Sequence, residues 1–196
     1  MRLLEKNRLR NRTHIAEVAM ARFLDKGFDE TTVEEVAREA GISRRTFFRY
    51  FPTKEAAFFA DQQERLKRFV DLLQAVHPDE SRNERVERAC LEMAAVYMEN
   101  RQMALAQHRA TLASRTLIAY DQSLDTQWED AVSEMFVEAA ASARAGEMAW
   151  LQAAALLGVI RAALRRWFLD DCQTDLVQMG RDALEMLSTQ TLLQKN

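Results

Sequence analysis

Glycine and proline are scarce in this chain, at 5 and 2 of 196 residues. Sheet architectures use both at their reversals, and no alternating run of Val, Ile and Thr bounded by turn residues is present either, so the composition predicts an all-α protein. Cysteine is nearly absent. Cys90 and Cys172 lie far apart, with no secretory apolar segment near the start, which argues against a disulfide scaffold and for a reduced, cytoplasmic chain. The longest apolar run, residues 148–160, is interrupted by Gln152 and closed by Arg161, so it reads as a buried helix and not as a membrane span. Catalytic signatures are missing too: no Glu-x-x-His pair, no glycine loop for phosphate and no serine elbow. His14, His77 and His108 are scattered, His108 reading as a helix-surface or pocket polar group. No metal or other cofactor is expected. Cys90 falls on an apolar face, and Cys172 is expected to be exposed near a helix end.

What is present is a charge asymmetry. The whole chain has a net charge of -3, but residues 1–60 hold 12 Lys+Arg against 9 Asp+Glu, net +3, leaving 15 against 21, net -6, for the rest. A basic end on an acidic chain points to a polyanion at that end. Arg2, Lys6, Arg8, Arg10 and Arg12 face a single acid, Glu5, in the first dozen residues. They form either an arm along phosphates or in a minor groove, or a solvated helix start.

The stretch TTVEEVAREAGISRRTFFRYFPTK, residues 31–54, has helix-turn-helix spacing. A helix over residues 32–40 has a capping-box start in Thr31 with Glu34, or in Thr32 with Glu35. Gly41 can take the left-handed conformation that ends it. Ser43 caps a second helix over residues 44–51, which carries Arg44, Arg45, Thr46, Phe48, Arg49 and Tyr50. Three arginines and two aromatic rings in seven residues suit a phosphate-lined groove, while Val36, Ala37, Ala40, Ile42 and Phe47 supply packing. An earlier helix, with Ile15, Val18, Ala19 and Phe23 on one face, stops at Gly27 and completes a three-helix core, with Phe28 tucked under the connection. Pro52 and Thr53 then precede a connector helix over residues 54–75, and His77 to Ser81 mark the domain boundary. Five further helices are read over residues 83–99, 102–113, 121–143, 147–169 and 174–193, about nine in all.

The segment GFDETTVEEVAREAGISRRTFFRYFPTKEA resembles the DNA-binding domain of TetR-family transcriptional regulators. The resemblance implies an N-terminal helix-turn-helix domain, residues 1–53, and a C-terminal helical domain, residues 54–196, for ligand binding and dimerisation. It also implies a homodimer on a palindromic double-stranded DNA operator, acting as a repressor by default and released by a small molecule. Thr31 or Thr32, Ser43, Thr46, Tyr50 and Lys54 match family positions that touch phosphates. Arg44, Arg45 and Arg49 match variable positions where base reading or further phosphate contact is expected. Phe48 stands where the family usually has tyrosine. The stretch AALLGVIRAALRRWFLDD resembles the subgroup with an acyl-CoA-like ligand-binding domain, to which the mycofactocin-linked regulator belongs, although SRTLIAYDQSL lacks that subgroup's proline.

Met93, Tyr97, Met103, Leu105, Trp128, Met135 and Phe136 are the candidate lining of an apolar pocket; a plain hydrophobic core is the alternative reading for such a stripe. A small apolar ligand fits that lining, an acyl-CoA by the subgroup resemblance, and Arg161, Arg165 and Arg166 face either its phosphates or solvent. Ala154, Gly158 and Ala162 recur every fourth residue, so the last two helices are read as the dimer interface or, alternatively, as packed within their own subunit. A regulator answering to a protein partner is the rival to a small-molecule sensor.

Overall fold

The computed structural model describes residues 2–78, 80–137 and 143–192; within them the side chains of residues 2–5, 82–83, 135–137, 143–147, 149 and 187–192 lie outside the description. Among the described residues the chain is ten α-helices and no strand. They are α1 (Arg2–Lys26), α2 (Val33–Glu39), α3 (Arg44–Tyr50), α4 (Lys54–Phe58), α5 (Ala60–Gln74), α6 (Arg82–Glu99), α7 (Arg101–Ala113), α8 (Arg115–Val137), α9 (Ala143–Leu169) and α10 (Leu176–Leu192).

Two compact units form, Met1–Glu64 with Ala106–Asp121, and Arg65–Leu105 with Gln122–Asn196. Helices α5, α7 and α8 each have residues in both. The first unit therefore holds more than the helix-turn-helix, because the second half of α7 and the start of α8 belong to it.

The core of the first unit is aromatic. Phe23, Phe28 and Phe58 meet pairwise at 5.1–5.9 Å between ring centroids, and Ile15, Ala19, Val36, Phe47 and Phe51 are buried with them. The amphipathic reading of α1 is thus borne out at Ile15, Ala19 and Phe23, and Phe28 does sit beneath the connection. Basic residues 6–12 belong to the continuous helix α1. Arg12 donates to Gln63 Oε1 at 3.1 Å and lies 5.1 Å from the Phe51 ring centre, so it packs inside the unit.

The connector is two helices, not one. Phe59, at φ -96° and ψ 24°, separates α4 from α5. Adjacent residues on an unbroken helix point in different directions, yet Phe58 and Phe59 are both fully buried, Phe59 against Phe58 and stacked on Tyr120 at 5.5 Å. Helix α8 also starts earlier than its expected residue 121. Ser114, the single residue after α7, accepts a hydrogen bond from Leu117 N at 3.4 Å, so SRTLIAYDQSL is capped and helical.

In the second unit α10 packs against α6 and α9. One cluster joins Phe69, Leu73, Val86, Ala89, Met93, Val132, Ala153, Leu156 and Leu157; another joins Ala94, Ala104, Trp167, Cys172 and Leu176. His77 to Ser81 fall in the link between α5 and α6, inside this unit. The α9 to α10 turn is a Schellman closure, with Asp171 N donating to Phe168 O and Cys172 N to Trp167 O. Asp171 (φ 50°) and Cys172 (φ 59°) both adopt left-handed backbone there, and Trp167 Nε1 donates across it to Thr174 O at 2.9 Å. This turn carries Cys172 inward to 1% exposure, correcting its expected exposure. Cys90 lies against the first cluster, where burial and then the nearby Glu87 charge push its thiol up to about 12, so it stays protonated. No described helix is long and apolar enough to cross a membrane.

Candidate nucleic-acid interface and sensor core

Helix α2 begins at Thr32 and not at Thr31. Thr32 accepts from Glu35 N at 3.2 Å while the Glu35 carboxylate accepts from Thr32 N at 2.8 Å, closing the capping box. Glu35 also accepts from Lys26 Nζ at 2.6 Å. The Lys26 hydrogen bond, then those from Thr32, hold the Glu35 carboxyl down at about 2, against an ordinary value of 4.5. A depressed carboxyl stabilises the fold above its unfolded pKa and loses that contribution as pH falls toward the folded one. The melting temperature is therefore expected to drop between pH 6 and pH 3, with a smaller drop in Glu35→Gln. Parallel curves for both proteins would contradict the assignment.

The turn closes as the glycine requires. Gly41 has φ +67°, and its N donates to Arg38 O while Ile42 N donates to Ala37 O at 2.9 Å, a Schellman pair. Ser43 then caps α3 by accepting from Thr46 N at 3.1 Å, and the two hydroxyls meet at 2.9 Å. With Phe47 fully buried and Phe51 behind it, the opposite side of α3 faces outward: Arg44, Arg45, Phe48 and Arg49 are exposed, Thr46 and Tyr50 half-buried. Arg49 lies 5.4 Å from the Tyr50 ring centre, and the Tyr50 hydroxyl accepts from Asn11 at 3.5 Å. Arg44 pairs with Glu34 at 2.9 Å and lies 5.5 Å from the Phe48 ring centre. Arg45 has no partner among the described residues.

Two residues expected at phosphates, Thr31 and Lys54, also make contacts inside the unit. Thr31 is 1% exposed and its hydroxyl donates to Gly27 O at 2.7 Å, so Thr32 is the exposed member of the pair. Lys54 donates to Phe28 O at 2.7 Å and Thr31 O at 2.9 Å and sits 4.1 Å from the Phe28 ring centre. Its ammonium staples the α1 to α2 turn to α4. Nothing in the local pattern separates a lysine that reaches DNA from one that closes a turn 26 residues earlier.

A polar clamp also went unread in the sequence. Three of the four buried polar residues among those described, Gln107, Thr111 and Ser114, come from α7 and its end. Gln107 Nε2 donates to Phe58 O at 2.9 Å and to Asp61 Oδ1 at 3.1 Å; Ser114 Oγ donates to Asp29 Oδ1 at 2.9 Å; Gln62 donates to Asp121 at 3.2 Å. Burial of His108 beside them lowers its pKa, the Asp121 charge acting in the opposite direction. Gln107→Ala leaves a buried carbonyl without its donor, and the first unit is expected to lose about 1–3 kcal/mol of stability in denaturant unfolding. An unchanged midpoint would show that water replaces the amide.

The candidate pocket residues divide between the two clusters of the second unit. Met93 and Trp128 belong to the first, Trp128 tilted against Phe69 at 5.1 Å; Tyr97 and Leu105 pack on the second, Tyr97 edge-on to Trp167 at 6.1 Å. Met103 is 50% exposed in the first turn of α7, so it lines neither. The side chains of Met135 and Phe136 lie outside the described residues. Arg65 lays its guanidinium 4.6 Å from the Tyr97 ring centre. A groove of about 540 Å³ runs along α6 between Glu84, Glu87, Arg88, Leu91, Glu92 and Ala95, sharing none of the expected lining. Arg161 is held by Glu129 at 2.5 Å and Asp125 at 3.6 Å, while Arg165 and Arg166 are exposed.

A capped helix pair that buries one side and turns arginines out on the other has the geometry of a helix-turn-helix DNA-binding unit. Residues 15–60 match the family described as bacterial regulatory proteins, tetR family. Over 158 residues, 81% of this chain and 80% of the relative, the chain is 26% identical to the "Putative mycofactocin biosynthesis transcriptional regulator MftR" of Mycobacterium tuberculosis (strain ATCC 25618 / H37Rv). Its fold is similar to NalD, the secondary repressor of the MexAB-OprM multidrug efflux pump in Pseudomonas aeruginosa (TM-score 0.62, 16% identity, 94% of this chain and 96% of that one). It is also similar to the transcriptional regulator FadR from Bacillus subtilis in complex with stearoyl-CoA (TM-score 0.62, 16% identity, 89% and 96%). Residues 15–60 thus match the DNA-binding domain of the tetR family, and the rest of the chain shares the helical fold of these regulators.

Proposed function

We propose that this regulator is a cytoplasmic repressor that binds a palindromic operator as a homodimer and leaves it when an apolar molecule of the acyl-CoA class enters the second unit. The observation that carries the DNA reading is the outward array of Arg44, Arg45 and Arg49 on a helix whose other side is buried. Thr32, Ser43, Thr46, Phe48 and Tyr50 complete the contact surface, with Lys54 and Thr31 holding the turn behind it.

The dimer forms through α9 and α10. On α9 the outward residues Met148, Leu151, Ala155, Gly158, Ala162, Arg165 and Leu169 recur at alternating steps of three and four, the spacing of a helix that packs against partners along its length. Among the described residues a Cβ on Gly158 would meet nothing within 4 Å, which favours an interface between subunits over packing within one.

Met93, Tyr97, Leu105 and Trp128 surround the ligand, and the stearoyl-CoA in the FadR neighbour supports the ligand class. The signal leaves by α5, α7 and α8, the helices with residues in both units, and reaches the reading head through Gln107, Ser114 and the Phe59–Tyr120 stack. A ligand with different affinity for two arrangements of those helices changes the spacing of two recognition helices that must sit about 34–36 Å apart. Stearoyl-CoA is accordingly expected to displace the protein from a selected operator duplex, and Trp128→Ala to shift the concentration required. Failure of every acyl thioester to displace it would overturn the ligand class and leave DNA binding standing.

A further inference from the structure

Glu34 is a carboxylate placed where phosphates must come. It sits in the first turn of α2 beside Glu35, yet the capping box is closed by Glu35 and Thr32, so Glu34 is not the capping partner. Its Oε1 instead takes Arg44 Nε at 2.9 Å, across the turn to the first residue of the recognition helix. The Arg44 guanidinium is bounded on a second side by the face of Phe48, one helical turn further along. Arg45, the next residue, is exposed and makes no contact among the described residues. Adjacent arginines thus stand in different conditions, one held by an acid and a ring, the other at liberty.

Stability does not account for the pair. Both side chains are more than half exposed, at 66% and 58%, and exposed ion pairs contribute little to folding. On DNA the carboxylate acts in two ways. It repels every phosphate that approaches α2 and α3, whatever the base sequence, which lowers binding to arbitrary duplex. It also restricts Arg44 before contact, so less freedom is lost when that side chain meets a site shaped for it. The first effect is felt on all DNA and the second only on a matched site, so together they widen the gap between operator and other sequences.

We propose that Glu34 is a specificity-determining positioning residue, which aims Arg44 from the side and suppresses binding to unmatched DNA. The inference rests on the DNA-binding reading of α3, and the test separates the two. A duplex is selected from random-sequence DNA with the wild-type protein; failure to enrich any sequence would strike at that reading itself. With the selected duplex and a shuffled duplex of equal length, affinities are measured across salt for wild type, Glu34→Gln, Arg44→Ala and the double variant, with melting temperature as the check on folding. Glu34→Gln is expected to bind shuffled duplex roughly 3- to 10-fold more tightly and the selected one within about 2-fold of wild type. The cost of Arg44→Ala on the selected duplex is expected to be at least about 3-fold smaller in the Glu34→Gln background. Equal gains on both duplexes, or an Arg44→Ala effect independent of residue 34, would overturn the proposal; a fall in melting temperature with an unchanged ratio would do so as well, marking the pair as structural.

Discussion

Arg45→Ala is expected to weaken operator binding about 10- to 100-fold, on the order of 1–3 kcal/mol, while leaving the oligomer intact. Arg45 differs from its neighbours in being available. Arg44 is shared with Glu34 and Phe48, Arg49 lies against Tyr50, and Arg45 is exposed on the same outward side of α3 with no partner among the described residues. Removing it breaks no contact of the free protein, so melting temperature should hold. The two kinds of DNA contact then separate by their signatures. A lost phosphate contact reduces the salt slope by about one unit on all sequences; a lost base contact leaves the slope and relaxes preference at one position. Unchanged affinity together with an unchanged salt slope would show that Arg45 is only solvated.

The second large effect is expected from Gly158→Trp. Within its own subunit the position is exposed and nothing among the described residues lies within 4 Å of an added Cβ, and tryptophan is a better helix former than glycine. Between subunits it would prop apart helices whose close approach depends on Ala155, Gly158 and Ala162. Light scattering should then move toward the 22.6 kDa of one chain. Operator affinity should fall by about 10²–10⁴, the gain that linking two half-site contacts supplies. Circular dichroism should stay that of a helical protein. A dimer that survives this change, with wild-type affinity, would place the interface elsewhere.

The helix-turn-helix was legible because its signals are local. Ser43 and Thr53 cap the helices that follow them, and Gly41 takes the left-handed conformation that its position between two helices demands. What could not be read depends on residues distant in sequence. Whether Thr31 or Thr32 faces out is decided by Gly27 and Lys54, which claim the hydroxyl and carbonyl of Thr31. The break at Phe59 accompanies burial against Tyr120, 61 positions further on. Cys172 is drawn inward by two consecutive left-handed residues, neither of them glycine, so no composition signal announced that turn. The start of α8 was the exception. Ser114 followed by Arg-Thr-Leu offered a capping serine that would have located it.

The apolar stripe of the second domain was legible only as apolar. It distinguished neither Met93 in the buried cluster from Met103 in solvent, nor the two clusters from each other, because that separation depends on where α7 begins and how α9 and α10 close behind it. The clamp through Gln107 and Ser114 is the more consequential omission. It makes the end of α7 part of the first unit, bound to α4, α5 and the α1 to α2 turn.

In the proposed dimer, two copies of this chain joined through α9 and α10 present two α3 helices to successive major grooves. Selection from random-sequence duplex DNA, followed by measurement of the mass of the complex, tests it most directly. The expected result is an inverted repeat whose half-sites recur about one helical turn apart, or a multiple of it, bound by one or more dimers of the chain. Enrichment of an asymmetric site held by a single 22.6 kDa chain, or of no sequence at all, would contradict it.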